Sequence, residues 1–207
     1  MRRDLVVRCE IYLTVIRHAE SEGNAGKIVQ GSSEYPLTEH GRKQARIASV
    51  AARLLDPSYV ASSTLSRAYE TAEILFGVES VRWVDLVERG AGLWEGVKRT
   101  EILEEHPGSL ENDNDRPEGY EPLSEVVLRA RRSLCQIGEK TAELGDRGAV
   151  VCHGAVMRAL YKDLTGKETR FNHLEFMVLC YDGEDVTFKE LGTLIPGVSG
   201  RVKSSQS

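Results

Sequence analysis

The chain has 207 residues, 41% of them hydrophobic, with 27 Lys and Arg against 32 Asp and Glu, a formal net charge of −5. That is enough apolar material for one substantial core, and one domain is the expectation. The negative balance gives no general attraction to a phosphate backbone or an anionic lipid surface, so nucleic-acid and membrane partners are not expected, and any bound anion must be held by a local cluster of cations.

Charged residues interrupt the first ten positions (Arg2, Arg3, Asp4, Arg8, Glu10), leaving no signal-peptide core there. Cys9, Cys135, Cys152 and Cys180 form no C-x-x-C pair and lie in or beside apolar segments, which reads as reduced thiols in a cytoplasmic protein. Residues 11–17 read as a first strand, and 38–55 as a helix with apolar Ala45, Ala48, Ala52 and Leu55 and Thr38 as N-cap. A second strand is expected over 59–63, and a helix over 65–76 with Leu65, Ala68, Ala72 and Leu75 on one face. A third strand is expected over 81–87, then a weaker helix over about 98–105. The stretch 107–121, "PGSLENDNDRPEGYE", is acidic and rich in turn formers, hence a loop. A long helix over about 122–144 precedes the most apolar strand, 148–152, and a helix over 155–164. The segments "LEFMVLCY" and "VTFKEL" flank Asp182-Gly183, a hairpin signal. Residues 1–195 then form one catalytic-size domain, and 196–207 read as a disordered tail. Strand–helix alternation predicts an α/β fold: a single, mostly parallel sheet with helices on both faces and an antiparallel hairpin at one edge.

In open α/β sheets, ligands sit beyond the carboxyl ends of the strands. Here the first strand ends in Arg17-His18, the third runs into Glu88-Arg89, the fourth into His153-Gly154, and the second leads to a helix bearing Arg67 near its start. Any one of these has an ordinary reading: a turn histidine, a solvated glutamate, Arg67 paired with Glu70 at i,i+3. Together they bring cationic and acid/base groups to one sheet edge. The five histidines (18, 40, 106, 153, 173) show no H-x-H or H-x-x-x-H spacing, so neither a metal nor another cofactor is expected.

Arg17-His18-Ala19-Glu20 resembles the Arg-His-Gly/Ala-Glu signature of the histidine phosphatase superfamily, in its phosphoglycerate mutase-like branch. The stretches "QGSSEYPLTEHGRKQA" (30–45), "SSTLSRAYETAEIL", "VERGAGLWEG" and "CHGAVMRAL" resemble further motifs of that family in its order, over residues 11 to 160. The resemblance implies a phosphoglycerate mutase-like fold and a phosphohistidine intermediate on His18. It implies that Arg17, Arg67 and His153 hold the phosphoryl oxygens, Glu88 moves the proton, and Asn24, Gln30 and Gly154 are further phosphate or substrate contacts. Only about 33 residues separate Glu88 from Glu121, a length similar to phosphatase rather than mutase members. The chain has Gly119-Tyr120-Glu121 where the family often has Gly-Glu-Ser, making Tyr120 a substrate-contact candidate, and the acidic run 111–115 mildly disfavours bisphosphates. The expected activity is metal-independent hydrolysis of a small phosphorylated metabolite, with that substrate and inorganic phosphate as the ligands. Phosphoglycerate mutase activity is one alternative; a non-catalytic or phosphoprotein-recognising phosphate-binding module is another. A homodimer through an exposed edge strand or the hairpin is left open.

Overall fold

A computed structural model describes residues 10–110 and 115–195; the expected tail at 196–207, Cys9 and most of the acidic run lie outside them. The elements follow in the order β1 (Ile11–Arg17), α1 (Glu22–Ala25), α2 (Glu39–Arg53), β2 (Tyr59–Ser63), α3 (Ser66–Phe76), β3 (Val81–Trp83), α4 (Arg99–Glu105), α5 (Leu123–Leu144), β4 (Arg147–Cys152), α6 (Gly154–Thr165), β5 (Glu175–Tyr181) and β6 (Val186–Thr193). They build one six-stranded sheet in the order β3-β2-β4-β1-β5-β6. β3, β2, β4 and β1 run parallel; β5 is antiparallel to β1, and β6 to β5. The expected parallel sheet with an antiparallel edge is the fold observed.

Side-chain alternation splits the core between the two faces. Leu13 and Val15 of β1, with Val150 and Cys152 of β4, pack against α5 and α6 through Val126, Ala130, Leu134, Ile137, Val156 and Leu160. Ile16 and Val151 point the other way, onto Ala45, Ala48 and Ala52 of α2 and Ala68, Ala72 and Leu75 of α3. Each buried Leu, Ile or Val contributes roughly 1.5–3 kcal/mol. The alanine faces let α2 and α3 lie close to the sheet. Gly41 carries this furthest, since a Cβ there would sit 2.0 Å from the Glu20 carbonyl oxygen. Thr38 caps α2 as expected, its hydroxyl accepting from the Gly41 amide.

The third strand departs from expectation. It pairs only at Val81–Trp83, and residues 84–86 form a 3₁₀ turn. Its one neighbour, β2, ends at Ser63 opposite Trp83, so no ladder partner remains for Val84 onward. The backbone carbonyls beyond find an arginine instead, as described next.

Candidate active site

Beyond the carboxyl ends of β1 and β4 lies a cavity of about 120 Å³, lined by Arg17, His18, Asn24, Gln30, Arg67, Glu88, Tyr120 and Gly154. His153 completes the sequence-predicted set. It is fully buried and packs edge-on to His18, ring centroids 5.1 Å apart. A larger hollow of about 700 Å³ between α5 and α6 is lined by Leu123, Val127, Leu128 and Ala159 and holds none of these residues.

The backbone fixes His18 tightly. Its amide donates to the Cys152 carbonyl, extending the β1–β4 ladder by one residue. Its Nδ1 lies 2.6 Å from the Ala19 carbonyl oxygen. A carbonyl only accepts, so Nδ1 carries the hydrogen and Nε2 keeps a free lone pair. Burial, then the Arg17 and Arg67 charges, hold this imidazole well below the usual histidine range, keeping the ring neutral. His153 is held down in the same way by burial and then Arg67 and His18, and its Nε2 meets the Ser63 hydroxyl at 2.8 Å.

Arg17 and Arg67 are anchored by carbonyls rather than carboxylates, which leaves their charge unneutralised. Arg17 Nη1 donates to the Phe171 carbonyl at 2.6 Å. Arg67, 1% exposed, donates to the carbonyls of Ser33 at 2.8 Å and Gly31 at 2.9 Å. Arg67 does not pair with Glu70, which binds Arg42. At the start of α3, where a cation opposes the helix dipole, the Glu34 carboxylate accepts from the Ser66 amide and hydroxyl. Arg17 Nε, Arg67 Nε and His153 Nδ1 are buried without a protein partner, three polar atoms gathered at one site.

The loop that receives Arg67 is held by Glu95, from the "GLWEG" stretch. Its carboxylate accepts from the Ser32 and Ala91 amides at 3.0 and 3.1 Å and from the Ser33 hydroxyl at 2.8 Å. Burial alone would raise this carboxyl, but these donors hold it below the usual range. Gly31 sits at φ +50°, and a Cβ there would fall 2.1 Å from Glu95 Oε1.

Glu88 reaches the cavity from the end of the 3₁₀ turn. Oε1 accepts from the Ala155 amide at 3.1 Å and the Arg89 amide at 3.0 Å, so the carboxylate is seated on the first turn of α6. Arg129 of α5 secures this segment. It donates to the Asp85 and Val87 carbonyls at 2.7 Å and the Glu88 carbonyl at 3.3 Å, and pairs with Glu121 at 2.7 Å. Asn24 Oδ1 accepts from the Ser21 amide at 3.1 Å and meets His173 Nε2 at 3.2 Å, and Gln30 Oε1 accepts from the Ser21 hydroxyl. Tyr120 is fixed by its edge-to-face contact with Trp94, centroids 5.9 Å apart, with Arg89 and Arg116 over its ring at 4.6 and 4.8 Å.

Sequence reasoning did not single out Arg99 and Arg158, which line the same cavity, or His173, Ser63 and Arg129, which support it. Arg158 lies inside the "CHGAVMRAL" stretch and Arg99 three residues beyond "GLWEG", so both were within reach of the motifs. Among the described residues there is no His/Cys/Asp/Glu cluster arranged to hold a metal ion, and no helix is long and apolar enough to cross a membrane.

The profile of the histidine phosphatase superfamily (branch 1) matches residues 13–192. A "Phosphoglycerate mutase-like protein 4" of Arabidopsis thaliana is 35% identical over 161 residues, covering 72% of this chain and 69% of its own. A "Metal-independent phosphoserine phosphatase" of the same plant is 35% identical over 174 residues, covering 78% and 72%. Among solved structures, a native mycobacterial glucosyl-3-phosphoglycerate phosphatase superposes with a TM-score of 0.75 at 25% identity, over 89% of this chain and 98% of that one.

Proposed function

Since the chain belongs to the histidine phosphatase superfamily, we propose that it is a phosphomonoesterase that hydrolyses a small phosphorylated metabolite through a phosphohistidine on His18. The observation that carries this reading is the orientation of His18: with Nδ1 given to the Ala19 carbonyl, the neutral ring presents Nε2 as a nucleophile. In the first step Nε2 forms a bond to phosphorus as the ester oxygen departs, and Glu88 gives that oxygen its proton. In the second, water attacks the phosphohistidine, Glu88 takes the proton, and phosphate leaves with His18 neutral again. Arg17, Arg67 and His153 bear on the equatorial oxygens, where the transition-state charge lies. Arginine charge left free by carbonyl anchoring does this without a divalent ion, in keeping with the relative named metal-independent.

Phosphate release from a panel of sugar phosphates, phosphorylated acids, nucleotides and phosphopeptides, measured in chelator, tests the reading. Turnover of some small monoesters, reduced at least about a thousandfold in His18→Ala, is expected. Phosphate moved within the substrate but never set free would make the enzyme a mutase; neither outcome with any compound would leave a binding module.

A further inference from the structure

Three imidazoles cluster beyond the carboxyl end of β1. Besides His153, the His18 ring has His173 beside it, centroids 6.0 Å apart, and no step of the hydrolysis uses this third histidine. His173 is half-buried in the turn that joins α6 to β5. The turn is strained. Leu174, the next residue, is fully buried at φ +62°, a left-handed conformation that a bulky side chain rarely adopts. Such a conformation persists where its surroundings impose it. Here the Leu174 amide donates to the Arg17 carbonyl at 3.0 Å, and the Leu174 carbonyl accepts from the Leu194 amide at 3.0 Å. The Glu175 carboxylate accepts from the Asn172 amide and side chain at 2.6 and 2.9 Å. The turn is thus tied to β1, and it holds His173 against Asn24.

That contact fixes the direction of a hydrogen bond. One end of the Asn24 side-chain amide lies 3.1 Å from the Ser21 amide nitrogen, which only donates, so that end is the oxygen Oδ1. His173 Nε2, 3.2 Å from the same oxygen, therefore donates to it and carries the hydrogen. Burial, then the Arg17 charge, lowers this imidazole to about 3, so the ring is neutral and Nδ1 is bare. The Ser21 hydroxyl stands 2.8 Å from both Asn24 Oδ1 and Gln30 Oε1, with one hydrogen to share between them. His173 supplies the second donor that Oδ1 lacks when that hydrogen goes to Gln30. Asn24 lines the cavity, and among the described residues its Nδ2 has no hydrogen-bond partner. Nδ2 is the end offered to a ligand.

We propose that His173 is a positioning residue: by donating to Asn24 Oδ1 it locks the side-chain amide in the orientation that lets Nδ2 donate to a phosphoryl oxygen. Arg17 and Arg67 supply charge; Asn24 supplies a direction, and His173 sets it. This rests on reading the cavity as a phosphoryl site.

A double-mutant cycle tests it, with two readouts: turnover of the best monoester and calorimetric binding of inorganic phosphate. Asn24→Ala should lower both kcat/KM and phosphate affinity about 10- to 100-fold, and His173→Leu about tenfold. In the Asn24→Ala background, His173→Leu should cost about twofold at most, because no amide remains to orient. His173→Gln, whose side-chain nitrogen replaces Nε2 as donor, should stay within about threefold of the parent. Additive losses, or a His173→Gln protein as impaired as His173→Leu, overturn the proposal. The imidazole nitrogen resonances of His173 in the parent at pH 7 need no variant: hydrogen on Nε2 upholds the proposal and hydrogen on Nδ1 overturns it. The expected pattern in phosphate binding without turnover of any ester upholds the positioning role, and the phosphatase reading then fails alone. Turnover with additive losses is the reverse, and a parent that neither binds phosphate nor turns over an ester overturns both.

Discussion

The floor and the mouth of the cavity are built on different principles. At the floor, each group stands at the end of a strand or the start of a helix: Arg17 and His18 end β1, His153 follows β4, and Arg67 opens α3. Arg17, His18 and Arg67 are tied to main-chain carbonyls and His153 to the Ser63 hydroxyl, and their burial comes from the two halves of the core on either side of the sheet. At the mouth, Arg99 and Tyr120 lie on the segment between β3 and α5, and Arg158 is exposed on α6. Tyr120 is fixed by side-chain stacking. A rigid floor suits chemistry that is the same for every phosphomonoester, and an adaptable rim suits choosing among them.

That contrast has a direct kinetic consequence. Arg67→Leu removes a cation from the floor and should lower kcat/KM by about 10²- to 10³-fold for every monoester alike, carboxylated or neutral. A loss confined to one substrate would move Arg67 into the rim and break the distinction.

Arg129 sharpens it from a distance, because its hydrogen bonds go to the Asp85, Val87 and Glu88 carbonyls and the Glu121 carboxylate. Arg129→Leu should lower kcat by about 10- to 100-fold through misplacement of Glu88, with the greater loss on esters of poor leaving groups. It should also destabilise the fold by roughly 1–3 kcal/mol, given that its pair with Glu121 is partly solvated. Denaturant unfolding and a leaving-group series measure the two effects.

The smallest effect is in the pH dependence of stability. His18 and His153 are held well below the usual range, and burial, then Arg17, lowers His173 to about 3. Below about pH 6.5 the unfolded chain takes up protons that these folded rings refuse, so stability falls as pH drops. The slope is about 1.4 kcal/mol per pH unit for each such histidine between pH 6.5 and 5. His173→Asn should make that slope shallower by one histidine's share; an unchanged slope would place His173 outside the set of rings kept neutral by the fold.

The same division governs what could be read in the sequence. Arg17-His18 was legible because an apolar run that ends in cations is unusual, and His153 because it closes the most apolar strand. Glu88 was legible as a residue but not in its setting: "VRWVDLV" alternates like a strand, yet β2 ends opposite Trp83, and pairing needs a neighbour the local pattern does not reveal. Arg129 carries no local signal, being one of several cations along α5 whose carbonyl partners are some 40 residues away. The acidic run expected to disfavour bisphosphates lies mostly outside the described residues, and the cavity itself is lined by arginines instead.

The central claim is that phosphorus passes through His18. Enzyme quenched in alkali during turnover of its best monoester, then digested and examined by mass spectrometry, should carry one phosphoryl group on the peptide containing His18, linked at Nε2 and lost as substrate runs out. Steady turnover with His18 unmodified, or phosphate on another residue, would contradict the account.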